Sequence, residues 1–442
     1  MSDSIGCFRS RLERIFLDSA LNCLQGFLTR PLVEGWASEL GHRWRTCVFS
    51  PLPTLLACIY KQSASDTSCR DVEDWVALRL PANDSANAGD DFCEARKRLP
   101  EAPFARAFAH LGALAADPAS SKVFIVDGTG LTLPRSAANF LAFGTPHGKA
   151  RLPGARLLLL TDAHSGALAH ADLTGCHEGE MRQFLRCLKA VPRGTTIVGD
   201  RQFSSYLAFH EMTELGINAV MNLNVSRKPV HIERLSEDDE IHVWQRPKPK
   251  SSAFGERIKE LPPLMRVRVV HAVVERKGYR TTNIRIATNL LDATRWPPAK
   301  IVELYDLRWR IENDIRDLKL RHGLTMLSCK SEDTVRKEVW SALIACNAIR
   351  VMQTKSGKCP RSLSHERCRT IILEACSQMA QALTTCLPML HERLLKRIAQ
   401  CRLKRQERPP CPRALIRNPI ADYPILYRSR EQWYAHYLSG PT

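Results

Sequence analysis

Four polar side chains recur at helical spacing between residues 305 and 319, in the segment YDLRWRIENDIRDLK. Tyr305, Arg308, Glu312 and Lys319 occupy positions i, i+3, i+7 and i+14. At about 100° per residue, these positions fall within a fan of roughly 60° on one face of an α-helix. That face would present a phenol, a guanidinium, a carboxylate and an ammonium. The alternative is a solvated face in which Arg308 and Glu312 form an ordinary i,i+4 ion pair.

Two aspartates follow apolar runs that are typical of buried strands. Asp127 comes after KVFIV and Asp200 comes after TTIVG, and side chains at the carboxyl edge of a sheet can converge on a ligand. Asp127, Asp200 and Glu312 would repel one another if they met there, unless a cation joined them. Mg²⁺ is a hard ion that prefers such oxygen ligands. Two ions about 3.5–4 Å apart can stabilise both the attacking and the leaving oxygen of a phosphoryl transfer.

Ordinary structural roles stay open for both aspartates. Asp127 is predicted to end its strand and precedes a glycine, and Asp-Gly is a common turn signal. Asp200 precedes Arg201, so it could cap a helix or form a surface ion pair.

Hydrophobic periodicity predicts the elements that must position these residues. The first 115 residues have apolar positions at helical spacing, which indicates a helical region. From residue 121 onward the pattern predicts three strands, a helix, a strand, a helix and a further strand. The first three strands can form an antiparallel meander, and the last two can add through right-handed crossovers.

A β-rich insertion is predicted next, because residues 222–292 alternate β-branched and polar residues and are strongly basic. The helix of the four polar residues follows, from about Ala299 to Arg321. We therefore predict five regions. They are a helical N-terminal region for DNA binding (1–115), the first part of a core (116–221), the insertion (222–292), the catalytic helix with the end of the core (293–357), and a helical, basic C-terminal region (358–442). An ordinary helical bundle is the alternative for the first region.

The charge balance indicates a polyanionic partner. The 442-residue chain carries 64 Lys and Arg against 46 Asp and Glu, a net charge of +18. Nucleic acid is the first candidate, and a merely basic globular protein is the alternative. An anionic membrane is disfavoured, because the sequence has no amphipathic anchor with a clean basic face.

The 16 cysteines show no CxxC pair, so a zinc ribbon or finger lacks its usual ligands. Many lie within apolar helical patterns, where a reduced thiol packs as a small hydrophobic group. We find no secretory signal and no apolar run long enough to span a membrane. We therefore expect a cytoplasmic protein in a reducing environment.

Taken together, these segments resemble the DDE transposases of the insertion-sequence-four family, over roughly residues 65–430. That family carries a Y-x2-R-x3-E-x6-K helix, which this chain reproduces without a gap from Tyr305 to Lys319. Its two aspartates lie in segments like IVDGTGL and IVGDRQFSSY, which hold Asp127 and Asp200 here. The helix motif is highly specific, and the two aspartate segments are moderately so.

The resemblance implies an α/β protein with a ribonuclease-H-like catalytic core, an inserted β-rich domain and flanking helical regions. It implies that the catalytic residues are Asp127, Asp200 and Glu312. These three would bind two Mg²⁺ ions, for which Mn²⁺ can substitute.

The resemblance also implies the residues that touch DNA. Tyr305, Arg308 and Lys319 would contact phosphates and the transposon end. Trp244, in the insertion, would stack on a flipped base, and its alternative is packing within a small β-domain.

The function implied is cleavage at terminal inverted repeats and joining of the 3′-hydroxyl ends to target DNA. The partner would be double-stranded DNA, bound by a dimer on the nucleoid of a prokaryotic cell, with no membrane. One alternative is a metal-dependent nuclease on the same core that cuts without joining. Others are a DNA-binding repressor with lapsed catalysis and a basic scaffold protein.

Overall fold

The structure is a computed structural model, and it does not describe every residue. The described residues are 27–44, 49–64, 67–77, 91–116, 122–146, 151–224, 226–248, 254–274, 282–381, 384–403, 429 and 431–432. Much of the predicted N-terminal region, and most of the predicted C-terminal region beyond residue 403, therefore lie outside the described residues.

Short helices precede the sheet in the described part of the chain. They are α1 Arg30–Glu39, α2 Pro51–Ser63, α3 Cys69–Ala77, α4 Asp91–Arg98 and α5 Ala102–Ala115. Proline lies in the first turn of α1, α2 and α5, where its missing N–H costs no helical hydrogen bond. The helical pattern predicted for this region is confirmed where the chain is described, and its role in DNA binding stays a prediction.

The described strands form a single mixed sheet of nine strands in the order β3-β2-β1-β4-β5-β9-β8-β7-β6. They are β1 Val123–Thr132, β2 Gly154–Asp162, β3 Leu168–Gly175, β4 Thr196–Gly199, β5 Asn218–Asn222, β6 Val230–Ser236, β7 Asp239–Gln245, β8 Leu264–Val274 and β9 Thr282–Thr288. Strands β1, β2 and β3 form an antiparallel meander, while β4 and β5 add in parallel on the other side of β1. The α/β class and the predicted order of these five strands are confirmed.

Strands β6 to β9 extend the same sheet. β9 pairs antiparallel with β5, and β8, β7 and β6 follow as successive antiparallel neighbours. The strands predicted within residues 222–292 are therefore present, and they join the core sheet edge to edge. The limits of an inserted domain stay a prediction.

Helices cover both faces of the sheet. They are α6 Ala137–Phe143, α7 Glu180–Leu188, α8 Tyr206–Glu214, α9 Gly255–Glu260, α10 Pro298–Asp306, α11 Arg310–Arg321, α12 Glu332–Lys355, α13 His365–Gln381 and α14 Leu387–Ala399. Ile125 belongs to the core that includes α5 and α12, while its neighbour Val126 belongs to the core that includes α7 and α8. Neighbouring side chains of β1 thus serve opposite faces.

Among the described residues, every helix is too short or too polar to cross a bilayer.

The helix predicted from about Ala299 to Arg321 is present, but it is interrupted by a short 3₁₀ segment. α10 ends at Asp306, Leu307–Trp309 form a turn of 3₁₀-helix, and α11 begins at Arg310. A 3₁₀ turn advances about 120° per residue. The four polar side chains therefore depart from the single fan expected of a regular α-helix.

Candidate active site

Asp127 lies on β1, and Asp200 directly follows the neighbouring parallel strand β4 at the matching position. β1 pairs with β4 as far as Ile125 opposite Val198, and each aspartate follows two residues later. Equal offsets along paired strands direct side chains to the same face of a sheet. Asp200 is close enough to raise the pKa of Asp127, so the fold brings the two carboxylates together.

Asp127 does not end its strand, contrary to the prediction. β1 continues to Thr132, and Asp127 pairs with Leu159 of β2. The turn alternative is therefore wrong as well. Gly128 has another use, because a Cβ at this position would lie 2.9 Å from the carboxyl carbon of Glu180. The glycine permits Glu180 to approach the backbone beside Asp127.

The surroundings of Asp127 favour a bound cation. Burial, as the largest effect, raises the pKa of Asp127 to about 6, and the negative charges of Asp200 and Glu180 add to the rise. A hydrogen bond of 2.8 Å from the backbone N–H of Gly128 and the nearby guanidinium of Arg308 oppose it. Several carboxylates that lie close together offer only oxygen donors, and such a group of ligands suits a hard divalent ion.

Glu180 is a site residue that the sequence reasoning missed. It is the first residue of α7, its carboxylate lies 3.8 Å from the guanidinium of Arg156, and burial raises its pKa. Asp200 raises the pKa of Glu180 further. The signal was weak because an acidic residue in the first turn of a helix is ordinary. Nothing in the sequence indicates that α7 begins above β1.

Arg308 links the carboxylates on the strands to the helical segment. Its guanidinium lowers the pKa of Asp127, forms an ion pair of 3.2 Å with Glu312 and lies 4.3 Å from the ring centre of Trp309. Tyr305 is buried, with 5% of its surface exposed, and hydrogen-bonds Arg308 and Asn222. Burial raises the pKa of the Tyr305 hydroxyl. The 3₁₀ turn thus places the guanidinium of Arg308 beside Asp127.

Glu312 and Lys319 lie further along the helical segment. The Glu312 side chain is 46% exposed and keeps the ion pair with Arg308 that the sequence left open as an alternative. Lys319 is seven residues further on α11, about 10 Å along the axis, and partial burial lowers its pKa. The four motif residues therefore differ in depth, with Tyr305 in the core and Glu312 at the surface.

Trp244 is a core residue, and the predicted stacking on DNA disagrees with its position. It is 5% exposed, and its ring packs at centroid distances of 6.0 Å from Tyr206 and 5.6 Å from Phe209. A base cannot reach a face of this ring in the present conformation. The packing alternative is the one that the structure shows, because β7 lies inside the sheet and turns Trp244 toward α8.

Comparison with known proteins agrees with the resemblance. Residues 118–348 match the family model described as a transposase DDE domain. Over 107 residues the chain is 29% identical to transposase InsG for insertion sequence element IS4 of Escherichia coli (strain K12). That match covers 23% of this chain and 23% of the relative, so the alignment spans about a quarter of the relative's length. Because the family model covers more than half of the 442 residues, the chain belongs to the family of transposases with a DDE domain.

Proposed function

We propose that this protein is a transposase that cleaves DNA at terminal inverted repeats and joins the freed 3′-hydroxyl ends to target DNA. The observation that carries the proposal is the meeting of Asp127 and Asp200 on neighbouring strands beside Arg308, which pairs with Glu312. Family membership supports it, because DDE transposase domains in general are metal-dependent enzymes that cleave DNA.

Asp127, Asp200 and Glu312 would hold two Mg²⁺ ions, for which Mn²⁺ can substitute. The oxygen-only donor set and the raised pKa of Asp127 support this assignment. When bound, two such ions supply Lewis acidity to both the attacking and the leaving oxygen. Glu312 would give up its ion pair with Arg308 on loading, since one carboxylate cannot serve both partners fully. The guanidinium of Arg308 would then be available to a DNA phosphate.

Arg308, Tyr305 and Lys319 would contact the DNA end. A planar guanidinium can bind phosphate through two parallel hydrogen bonds. Tyr305 would act chiefly by orienting Arg308, because the Tyr305 hydroxyl is buried and hydrogen-bonded to Arg308. Lys319 would add a positive charge further along the phosphate backbone. The net charge of +18 supports a nucleic-acid partner.

We further propose a ribonuclease-H-like core. The support is the antiparallel meander β3-β2-β1 followed by parallel β4 and β5. We also propose the five predicted regions, a dimer that holds two DNA ends, and a place on the nucleoid of a prokaryotic cell. Their support is the resemblance to the insertion-sequence-four family.

The test is an assay with the full chain and labelled DNA that carries the boundaries of the element around its own gene. With Mg²⁺ we expect cuts at the boundary and products joined to a second DNA, both of which disappear with chelator. A scrambled boundary is the control. Cleavage without joining would favour the nuclease alternative, and binding without cleavage would favour the repressor. Either of these two results would overturn the proposed transposase.

A further inference from the structure

A second group of metal-binding side chains lies away from the carboxylates. His322, Cys346 and His365 each offer one ligand atom, and these atoms all lie within 4.8 Å of one another. All three residues are buried, with exposures of 0%, 1% and 4%. The group joins three helices, because His322 caps the end of α11, Cys346 lies within α12 and His365 begins α13.

Hydrogen bonding fixes the tautomers of the two imidazoles. His322 Nδ1 donates to the backbone carbonyl of Gln62 at 3.2 Å, so its Nε2 accepts a hydrogen bond of 2.9 Å from the Nε2–H of His365. The other nitrogen of His365, Nδ1, is buried with no hydrogen-bond partner among the described residues. A backbone carbonyl that fixes the tautomer of a histidine is the usual second contact of a metal ligand.

Both imidazoles are held in the neutral form that metals bind. Burial lowers the pKa of His322 to about 4 and the pKa of His365 well below its ordinary range. Two neutral rings and a thiol thus occupy a closed site in the core.

We propose that His322, Cys346 and His365 bind one soft d¹⁰ metal ion, Zn²⁺ or Cu⁺. Imidazole nitrogen and thiolate sulfur are the ligands that these ions prefer, whereas Mg²⁺ prefers the carboxylates of the candidate active site. Binding would form a metal–sulfur bond and release the proton of the Cys346 thiol to solvent. Metal binding would break the hydrogen bond between the two Nε2 atoms, and the proton of His365 would move from Nε2 to Nδ1. Both imidazoles would stay neutral, and no redox partner is needed.

The charges around the group distinguish between the two candidate ions. Acidic and basic side chains close enough to act on the three ligands are Asp314, Asp317, Glu366, Arg321, Arg350, Arg361 and Arg369. The thiolate formed from Cys346 would cancel the whole charge of Cu⁺ or half the charge of Zn²⁺. The three carboxylates and four guanidinium groups sum to +1, so a bound Cu⁺ would leave the local charge at +1 and a bound Zn²⁺ would raise it to +2.

The consequence would be structural. The ion would fasten the C-terminal end of α11, which carries Glu312 and Lys319, to α12 and α13. The ligands are 24 and 19 residues apart in sequence, so they form no short sequence motif. The absence of CxxC pairs excluded zinc ribbons but leaves this site open. The inference does not rest on the proposed transposase function.

The experiment is metal analysis of the full chain, purified without chelator and without a histidine tag. We expect about one zinc or copper per chain by mass spectrometry, and the element found identifies the ion. Cys346→Ala should lose it, while Cys368→Ala, another fully buried cysteine, should keep it. Glu312→Gln should also keep it, which separates this site from the carboxylates.

X-ray absorption at the metal edge covers the case in which Cys346→Ala does not fold. The wild-type chain should then show one sulfur and two imidazole nitrogens around the metal. A wild-type chain that stays metal-free after incubation with stoichiometric Zn²⁺ and Cu⁺ would overturn the proposal. So would a metal retained in folded Cys346→Ala, or a shell of oxygen ligands.

Discussion

At the scale of single residues, the site is defined by the charge around Asp127. Two carboxylates raise the pKa of this group, one guanidinium lowers it, and burial has the largest effect of all. The folded protein therefore stabilises the protonated form of Asp127 when no metal is present. Function would need the ionised form, so the residue is held in a state that costs stability at neutral pH.

This cost predicts that Asp127→Asn stabilises the metal-free protein at neutral pH. The pKa is raised from an ordinary 3.8 to about 6 in the folded chain. The favourable contribution of Asp127 to the free energy of unfolding is therefore complete below pH 4, and it is lost as the pH rises through 6. The variant should gain on wild type by up to roughly 3 kcal/mol in unfolding free energy between pH 4 and pH 7. Urea unfolding at both pH values measures the gain.

Asp306→Asn is the control for this comparison, because Asp306 is exposed on α10. The unfolding free energy of Asp306→Asn should differ from that of wild type by the same small amount at both pH values. Added Mg²⁺ should stabilise wild type and leave Asp127→Asn less affected. An Asp127→Asn curve that runs parallel to wild type from pH 4 to pH 7 would contradict the pKa assignment.

The sequence could predict the residue types and their spacing but not their depth. Regular helical geometry puts Tyr305, Arg308, Glu312 and Lys319 on one face. It cannot show that Tyr305 is 5% exposed while the Glu312 side chain is 46% exposed. Those depths depend on which helix lies against which strand, and that is set by tertiary packing.

At the scale of elements, the segment α10–α11 is fixed from beneath by buried ion pairs. Asp314, on the inner side of α11, accepts two hydrogen bonds from Arg361 at 2.6 and 2.8 Å and one from Arg350 at 3.1 Å. Arg268 of β8 pairs with Asp239 and donates at 2.7 Å to the carbonyl of Trp296, just before α10. These contacts set the position from which Arg308 and Glu312 reach the strands.

Asp314→Ala should therefore weaken the fold as well as the site. It would leave the buried guanidinium of Arg350 and the partly buried guanidinium of Arg361 without their carboxylate, and the loss of a buried partner typically costs about 3–5 kcal/mol. Asn313→Ala, its exposed neighbour on the same helix, should change the unfolding free energy by less than about 0.5 kcal/mol. Urea unfolding at pH 7 compares the two. Equal midpoints for the two variants would show that the Asp314 pairs do not fasten α11.

Element boundaries show where local pattern fails. The Asp-Gly pair after KVFIV favours a turn, yet β1 continues through it because β2 supplies hydrogen bonds as far as Thr132. The regular apolar spacing from Ala299 to Arg321 predicts one α-helix, yet the winding tightens at Leu307–Trp309 where it packs against β1 and β4. In both places a neighbour in space overrides the local signal.

At the scale of the whole molecule, the order of β1 to β5 could be predicted because hairpins and right-handed crossovers leave few arrangements. The place of β6 to β9 could not. Antiparallel strands can form a separate layer or extend an existing edge, and only the pairing of β9 with β5 decides between them. The buried group of His322, Cys346 and His365 was hidden for the same reason, since its members meet only after the helices pack.

The central claim is that Asp127, Asp200 and Glu312 act together as one metal-dependent site, and Glu312→Gln tests it most directly. The measurement is the rate of Mg²⁺-dependent cleavage of DNA bearing the element boundary, beside the affinity for that DNA. Glu303→Gln, an exposed glutamate on α10, is the control. We predict that Glu312→Gln lowers cleavage by on the order of a thousandfold with binding nearly unchanged, while Glu303→Gln cuts normally. Cleavage by Glu312→Gln at the wild-type rate would contradict the account.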